Sequence, residues 1–139
     1  MGNATDTLRE GNLILEATLG PAGYRFEPLG AGNSSGGDFA SGRWIRADRA
    51  IEIHFRHSLG LVRYWIGLTS MSHRELVEAC DVRDQANYPG YSTDPLDGFR
   101  HLRNDLERFG GPFLSGAMTE EDMIRLASDL QRLPRRRLP

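Results

Sequence analysis

Apolar and polar residues alternate between Phe39 and Leu68, the period-two signature of half-buried strands. The alternation predicts three strands, about Phe39 to Ala47, Ile51 to Arg56 and Leu61 to Leu68. A shorter strand from Tyr24 to Pro28 precedes them, with Pro28 marking its end. Between these lies Leu29 to Asp38, whose Gly, Asn and Ser content predicts a flexible surface loop. A three-residue turn at Asp48-Arg49-Ala50 sets Ile45 against Ile53 and Arg43 against Phe55, and on the opposite face Arg46 against Glu52 and Trp44 against His54. A two-residue turn setting Ile45 against Glu52 mixes the faces, which burial disfavours. A turn at His57-Ser58-Leu59-Gly60 then pairs Phe55 with Val62, Ile53 with Tyr64 and Ile51 with Ile66. Its other face pairs His54 with Arg63 and Glu52 with Trp65. Both registers place Ile45, Ile53, Phe55, Tyr64 and Ile66 on one core face.

Around the strands the period changes to that of helices. Leu8, Ile14, Leu15 and Leu19 form an apolar stripe that starts near Thr5 or Asp6 and ends at Gly20-Pro21, with Gly11 weakening it. Ser72 with Glu75 forms a capping box for a second helix. Asp94-Pro95 opens a third, whose Leu96, Phe99, Leu102, Leu106 and Phe109 recur at steps of three and four and stop at Gly110-Gly111. Thr119 caps the last, where Glu120, Glu121 and Asp122 complement the helix dipole and Met123, Ile124, Leu126, Ala127, Leu130 and Leu133 line its inner side. The expected architecture is α+β: an N-terminal helix, an antiparallel meander of three to four strands, then three helices on one face of the sheet. The whole of residues 1–139 is expected to form one domain, frayed at 1–5 and 134–139.

Composition changes this picture little. Apolar residues make up 39% and charged residues 26%, ordinary for a water-exposed globular chain. A formal charge of −2 argues against bulk electrostatic capture of nucleic acid. The single cysteine, Cys80, cannot form an internal disulfide, which fits a reducing cytoplasm. Its apolar helical neighbours Leu76, Val77 and Ala79 predict a buried, inert thiol. Apolar runs are too short for a transmembrane helix, and no signal-peptide pattern opens the chain.

Candidate chemistry is sparse. The outward sheet face is expected to carry Trp44, Arg46, Glu52, His54, Arg56, Arg63 and Trp65. Aromatic and arginine side chains serve binding patches through large contact areas and directed donors. Arg, His and Arg together suit a carboxylate or phosphate. The same alternation also describes an ordinary solvated face. A second candidate is the loop Tyr88-Pro89-Gly90-Tyr91, whose two tyrosines flank a Pro-Gly turn ahead of a helix N-terminus. His54, His57, His73 and His101 lack metal-ligand spacing. Arg100, Arg103, Asp105, Glu107 and Arg108 read as a solvated helix face, and Arg135-Arg136-Arg137 as a solubilising tail. No Gly-x-Ser-x-Gly, P-loop or His-Glu-x-x-His motif occurs. No cofactor and no catalytic residue is therefore expected.

One resemblance rests on the N-terminal half. A leading helix runs into Leu19-Gly20-Pro21-Ala22-Gly23-Tyr24-Arg25-Phe26, followed by a polar loop and Ile51-Glu52-Ile53-His54-Phe55-Arg56-His57-Ser58. This resembles small bacterial α+β domains of unknown function found beside toxin-immunity proteins. The resemblance implies binding to another protein and brings no active-site residues. The expected function is thus a non-enzymatic cytoplasmic protein that binds another protein, as an immunity-like inhibitor would. The alternative is a small-molecule or anion-binding domain using His54, Arg56 and Arg63 with Tyr88 or Tyr91.

Overall fold

The computed structural model describes residues 3–34, 37–80, 83–89 and 93–132. Helix α1 (Ala4–Leu19) leads into five strands, β1 (Arg25–Ser34), β2 (Gly37–Arg46), β3 (Arg49–Arg56), β4 (Ser58–Ile66) and β5 (Thr69–Ser72). Then come α2 (His73–Ala79), a 3-10 turn (Arg83–Gln85), α3 (Asp97–Phe109), α4 (Gly111–Ser115) and α5 (Glu120–Arg132). The strands form one antiparallel sheet in sequence order, β1-β2-β3-β4-β5. This is the expected α+β architecture, with more strands and one more short helix. Of the segment expected as a loop, Leu29 to Asp38, residues 29–34 end β1 and 37–38 begin β2, residues 35–36 lying outside the described ones, and Pro28 sits at a bulge rather than a strand end. Gly, Asn and Ser form strand here because the neighbouring strand satisfies their backbone groups whatever their side chains prefer.

Local chemistry sets the helix ends. Asn3 accepts from the Asp6 amide and caps α1, which begins at Ala4 rather than near Thr5 or Asp6. The Ser72–Glu75 capping box is formed. Thr119 and Asp122 exchange side-chain-to-amide bonds at the start of α5. Asp94 accepts from the Leu96 amide but α3 itself begins only at Asp97. Ile124, expected inside, is 53% exposed, while Met123 is fully buried.

The β3–β4 faces are as expected. Ile51, Ile53, Phe55, Val62, Tyr64 and Ile66 are all buried, although the pairing is shifted by two residues, with Ile51 opposite Tyr64 and Ile53 opposite Val62. The β2–β3 register is not as expected. Arg46 pairs with Arg49 across a two-residue turn, Ala47-Asp48, and Ala47 takes a positive φ of 52°. Trp44 therefore faces the core beside Ile51 and is 3% exposed, whereas Ile45 and Arg43 face outward. The run Arg43-Trp44-Ile45-Arg46 has two adjacent apolar residues, so burial satisfies either phase and the turn length decides.

The helices pack on the Trp44 face. Trp44 Nε1 donates to Asn12 of α1 at 3.2 Å, Phe55 stacks on Phe99 of α3 at 6.0 Å between centroids, and Tyr64 meets Phe113 of α4 edge-on at 5.0 Å. Arg46 and Arg49 lie on this side too. Arg46 Nη1 donates to the Leu114 carbonyl at 2.6 Å, and Arg49 Nη1 to those of Phe113 and Met118 at 2.9 and 2.8 Å. The last carbonyls of a helix lack partners within it, and here two arginines from the β2–β3 turn and the Tyr24 hydroxyl supply them. Asp48 balances the buried Arg49 charge at 3.0 Å.

At Gly11, α1 lies against the Phe99 ring of α3. A Cβ at this position would lie 2.5 Å from the Phe99 ring. Gly11→Ala gains about 1 kcal/mol of helix propensity. It also forces a fully buried ring out of place, at a cost of about 1–3 kcal/mol. The expected outcome is a net loss of stability, read as a lower urea midpoint with an unchanged m-value.

Candidate functional site

Two groups of polar side chains stand out, one on the open face of the sheet and one buried beneath the other face. The open face has no helix packed on it among the described residues: the helices are met by Trp44, Phe55, Tyr64 and their inward neighbours. Cross-strand pairing arranges the outward side chains in rows. One row runs Arg25, Ile45, Ala50, Trp65, Ser70, and the next runs Glu27, Arg43, Glu52, Arg63, Ser72.

The second row is laced by side-chain bonds. Arg43 Nη2 donates to Glu27 at 2.9 Å. Glu52 sits at the centre, receiving Trp65 Nε1 on one oxygen at 2.8 Å and facing His54 Nε2 with the other at 2.5 Å. Burial pushes the Glu52 carboxyl up, but the bonds from His54 and Trp65 and the nearby Arg63 charge outweigh it, leaving its pKa below the ordinary 4.5. Glu52 is thus a held carboxylate and not a proton donor near neutral pH. Arg63 Nε donates to Ser70 at 2.8 Å.

The structure therefore divides the residues expected on this face. Glu52, His54, Arg63 and Trp65 are brought together as expected. Arg56 lies at the end of the face, its guanidinium 5.3 Å from the Phe39 ring centre. With His54, Leu61 and Gly60 these two line a half-open cleft of about 250 Å³. Trp44 and Arg46 do not belong: the two-residue turn puts Trp44 in the core and Arg46 against α4. Arg43 and Ile45, one residue away, take their places. Tyr88 is also elsewhere, on the helix side, where its hydroxyl donates to the Leu59 carbonyl at 2.6 Å. Burial pushes its pKa up to about 12. Gly90 and Tyr91 lie outside the described residues, as do Leu133 and Arg135-Arg136-Arg137.

The buried group lies beyond the sequence expectations. Tyr64 Oη is 2.7 Å from His73 Nδ1, and His73 Nε2 is 2.9 Å from Asp105 Oδ2. Asp105 also accepts the amides of Asn87 and Tyr88 at 2.6 and 2.9 Å. Burial, with the Asp105 and Tyr88 charges adding to it, holds the Tyr64 phenol well above 10, so Tyr64 keeps its proton. A neutral imidazole with its hydrogen on Nε2 accepts the Tyr64 hydroxyl at Nδ1 and donates to Asp105. This chain resembles a catalytic relay in form. Tyr64 is fully buried and Asp105 is 1% exposed, so neither faces solvent. Its work is to tie β4, α2, α3 and the 87–89 segment together. Asp105, expected on a solvated face, is enclosed because it sits between Leu102 and Leu106 at the edge of the apolar stripe of α3.

Other expected features are placed plainly. Cys80 follows α2 and is exposed, not buried, and partial desolvation raises its thiol pKa, so it is not an activated nucleophile. No group of three or more His, Cys, Asp or Glu side chains among the described residues could hold a metal ion. No described helix is long and apolar enough to cross a membrane. No family model, curated protein or solved structure matches the chain.

The Asp105 bonds carry a stability consequence. Burial raises its pKa, but the His73 bond and the two amides lower it further, leaving it below the ordinary 3.8. A depressed folded pKa contributes stability that is complete above the unfolded value of 3.8 and lost as pH falls through the lower folded one. Asp105→Asn is expected to cost about 2–3 kcal/mol at pH 7, from losing a charged acceptor in a buried network. The gap to the unaltered protein should shrink in melts carried below that pH.

Proposed function

We propose that this chain acts by binding another protein chain through the open face of its sheet, without catalysis. The observation that carries this reading is the pair of rows on which no helix packs among the described residues. Trp65, Ile45, Arg43 and Arg63 share one side of the sheet, and the side chains on its other side are buried against the helices. Aromatic and arginine side chains held in place by neighbours lose little freedom on binding. The finer reading, an immunity-like inhibitor, is supported by the resemblance of the N-terminal half to domains found beside toxin-immunity proteins.

A second reading has its own observation. The cleft between Phe39 and Leu61 joins a guanidinium, an imidazole and an aromatic ring, which suits a small anion with an apolar body. It does not include Arg63 or Tyr88, so the alternative site contracts to His54 and Arg56.

Trp65→Ala combined with Arg63→Glu is expected to abolish capture of a stoichiometric partner by the immobilised full chain, while far-UV circular dichroism stays unchanged. Unaltered capture by this variant would reject the sheet face as the docking surface. Saturable binding of a small carboxylate that is lost in Arg56→Ala would instead favour the cleft.

A further inference from the structure

The geometry points to a second copy of this chain as the occupant of the open sheet face, paired across a two-fold axis that runs along the strands between β2 and β3. This rests on the protein-binding reading above and names its partner. The argument is one of charge order. Across β1 to β4 the central row reads Glu27, Arg43, Glu52, Arg63, which is minus, plus, minus, plus. Such an order changes sign under reversal about its midpoint. A two-fold axis along the strands performs that reversal, laying β1 over β4 of the second copy and β2 over β3. Glu27 then faces Arg63, and Arg43 faces Glu52, each twice by symmetry. Every charge meets its opposite. The row Arg–Glu–Glu–Arg, with the same composition, would meet like charges throughout.

The adjacent row obeys the same operation. Rotation about the strand direction keeps each row opposite itself, so Ile45 faces Ala50 and Arg25 faces Trp65. The first is an apolar contact next to the axis. The second places a guanidinium on an indole, a cation–π pair at the border. An isologous interface needs a surface complementary to itself, and these two rows meet that need with four pair types. Sheets that stack face to face keep their strands within about 30°. The twist of the sheet therefore keeps Arg43–Glu52 and Ile45–Ala50, closest to the axis, in the best register. Within one copy the lateral bonds of Arg43 to Glu27 and of Glu52 to Trp65 and His54 already order these side chains, so little rotamer freedom remains to be lost.

The test is charge-reversal complementation on the full chain, read by sedimentation equilibrium. The unaltered protein should be a dimer at micromolar concentration. Arg43→Glu sets carboxylate against carboxylate at both symmetry-related contacts beside the axis. Glu52→Arg sets guanidinium against guanidinium at the same two places. Each alone should raise the dimer Kd at least about a hundredfold. Mixed together, the two variants should dimerise again, because both contacts become opposite in sign. Rescue on mixing cannot arise from misfolding of either component. Should a reversal variant fail to fold by circular dichroism, Arg25→Glu, whose side chain is 72% exposed, replaces it and should weaken the dimer about threefold or more. An unaltered protein that stays monomeric at about 100 µM overturns the proposal. So does a dimer that survives both reversals, or one that mixing does not restore. A monomer that still takes up a different protein in a Trp65-dependent way rejects self-pairing and leaves the broader binding reading standing.

Discussion

The pairing of Arg46 with Arg49 across the Ala47-Asp48 turn determines which side chains of β2 meet the helices. Moving that turn by one residue would exchange the two faces of β2 completely, because strand side chains alternate with period two. With the turn where it is, Trp44 seats under α1 and Arg46 and Arg49 reach the carbonyls at the end of α4. The same turn sends Arg43 and Ile45 outward, next to Glu52 and Ala50. Core, helix cap and open face are thus one decision, made at two residues.

The two faces of the sheet solve different problems. On the helix side, polar groups are buried only where each has a partner: Tyr64, His73 and Asp105 form one satisfied chain, and the two arginines complete a helix terminus. No buried side-chain nitrogen or oxygen among the described residues lacks a partner. This is the condition under which low-dielectric burial stabilises rather than costs. On the open side, charges pair laterally with water still present, where each such pair contributes little to stability. Their ordering matters for what the face can accept, which is why the open face and not the relay carries the functional reading.

How much of this is legible in the sequence follows from the kind of signal involved. The inward set of β3 and β4 is visible because Ile51, Ile53 and Phe55 alternate strictly with Glu52 and His54, and only one phase buries them. The capping residues Ser72 and Thr119 are visible because a cap acts within four residues. In β2, Trp44 and Ile45 are adjacent and both apolar, so alternation cannot choose between them, and Ala47-Asp48 carries no Gly or Asn to announce a tight turn. The pattern accordingly puts Trp44 and Arg46 on the wrong side. Asp105 gives one hint, a carboxylate flanked by Leu102 and Leu106 on a helix that must pack.

By itself the amino-acid order determined helices α1, α2, α3 and α5, the antiparallel run of β2 to β4 and the inward faces of β3 and β4, because these depend on periodicities and caps that act over a few residues. Only the tertiary structure decided the phase of β2, the enclosure of Asp105 with His73 and Tyr64, and the alternating charge row on the open face. Those depend on turn geometry and on groups 9 and 32 residues apart meeting in space, and no local pattern encodes which distant donor will find which acceptor.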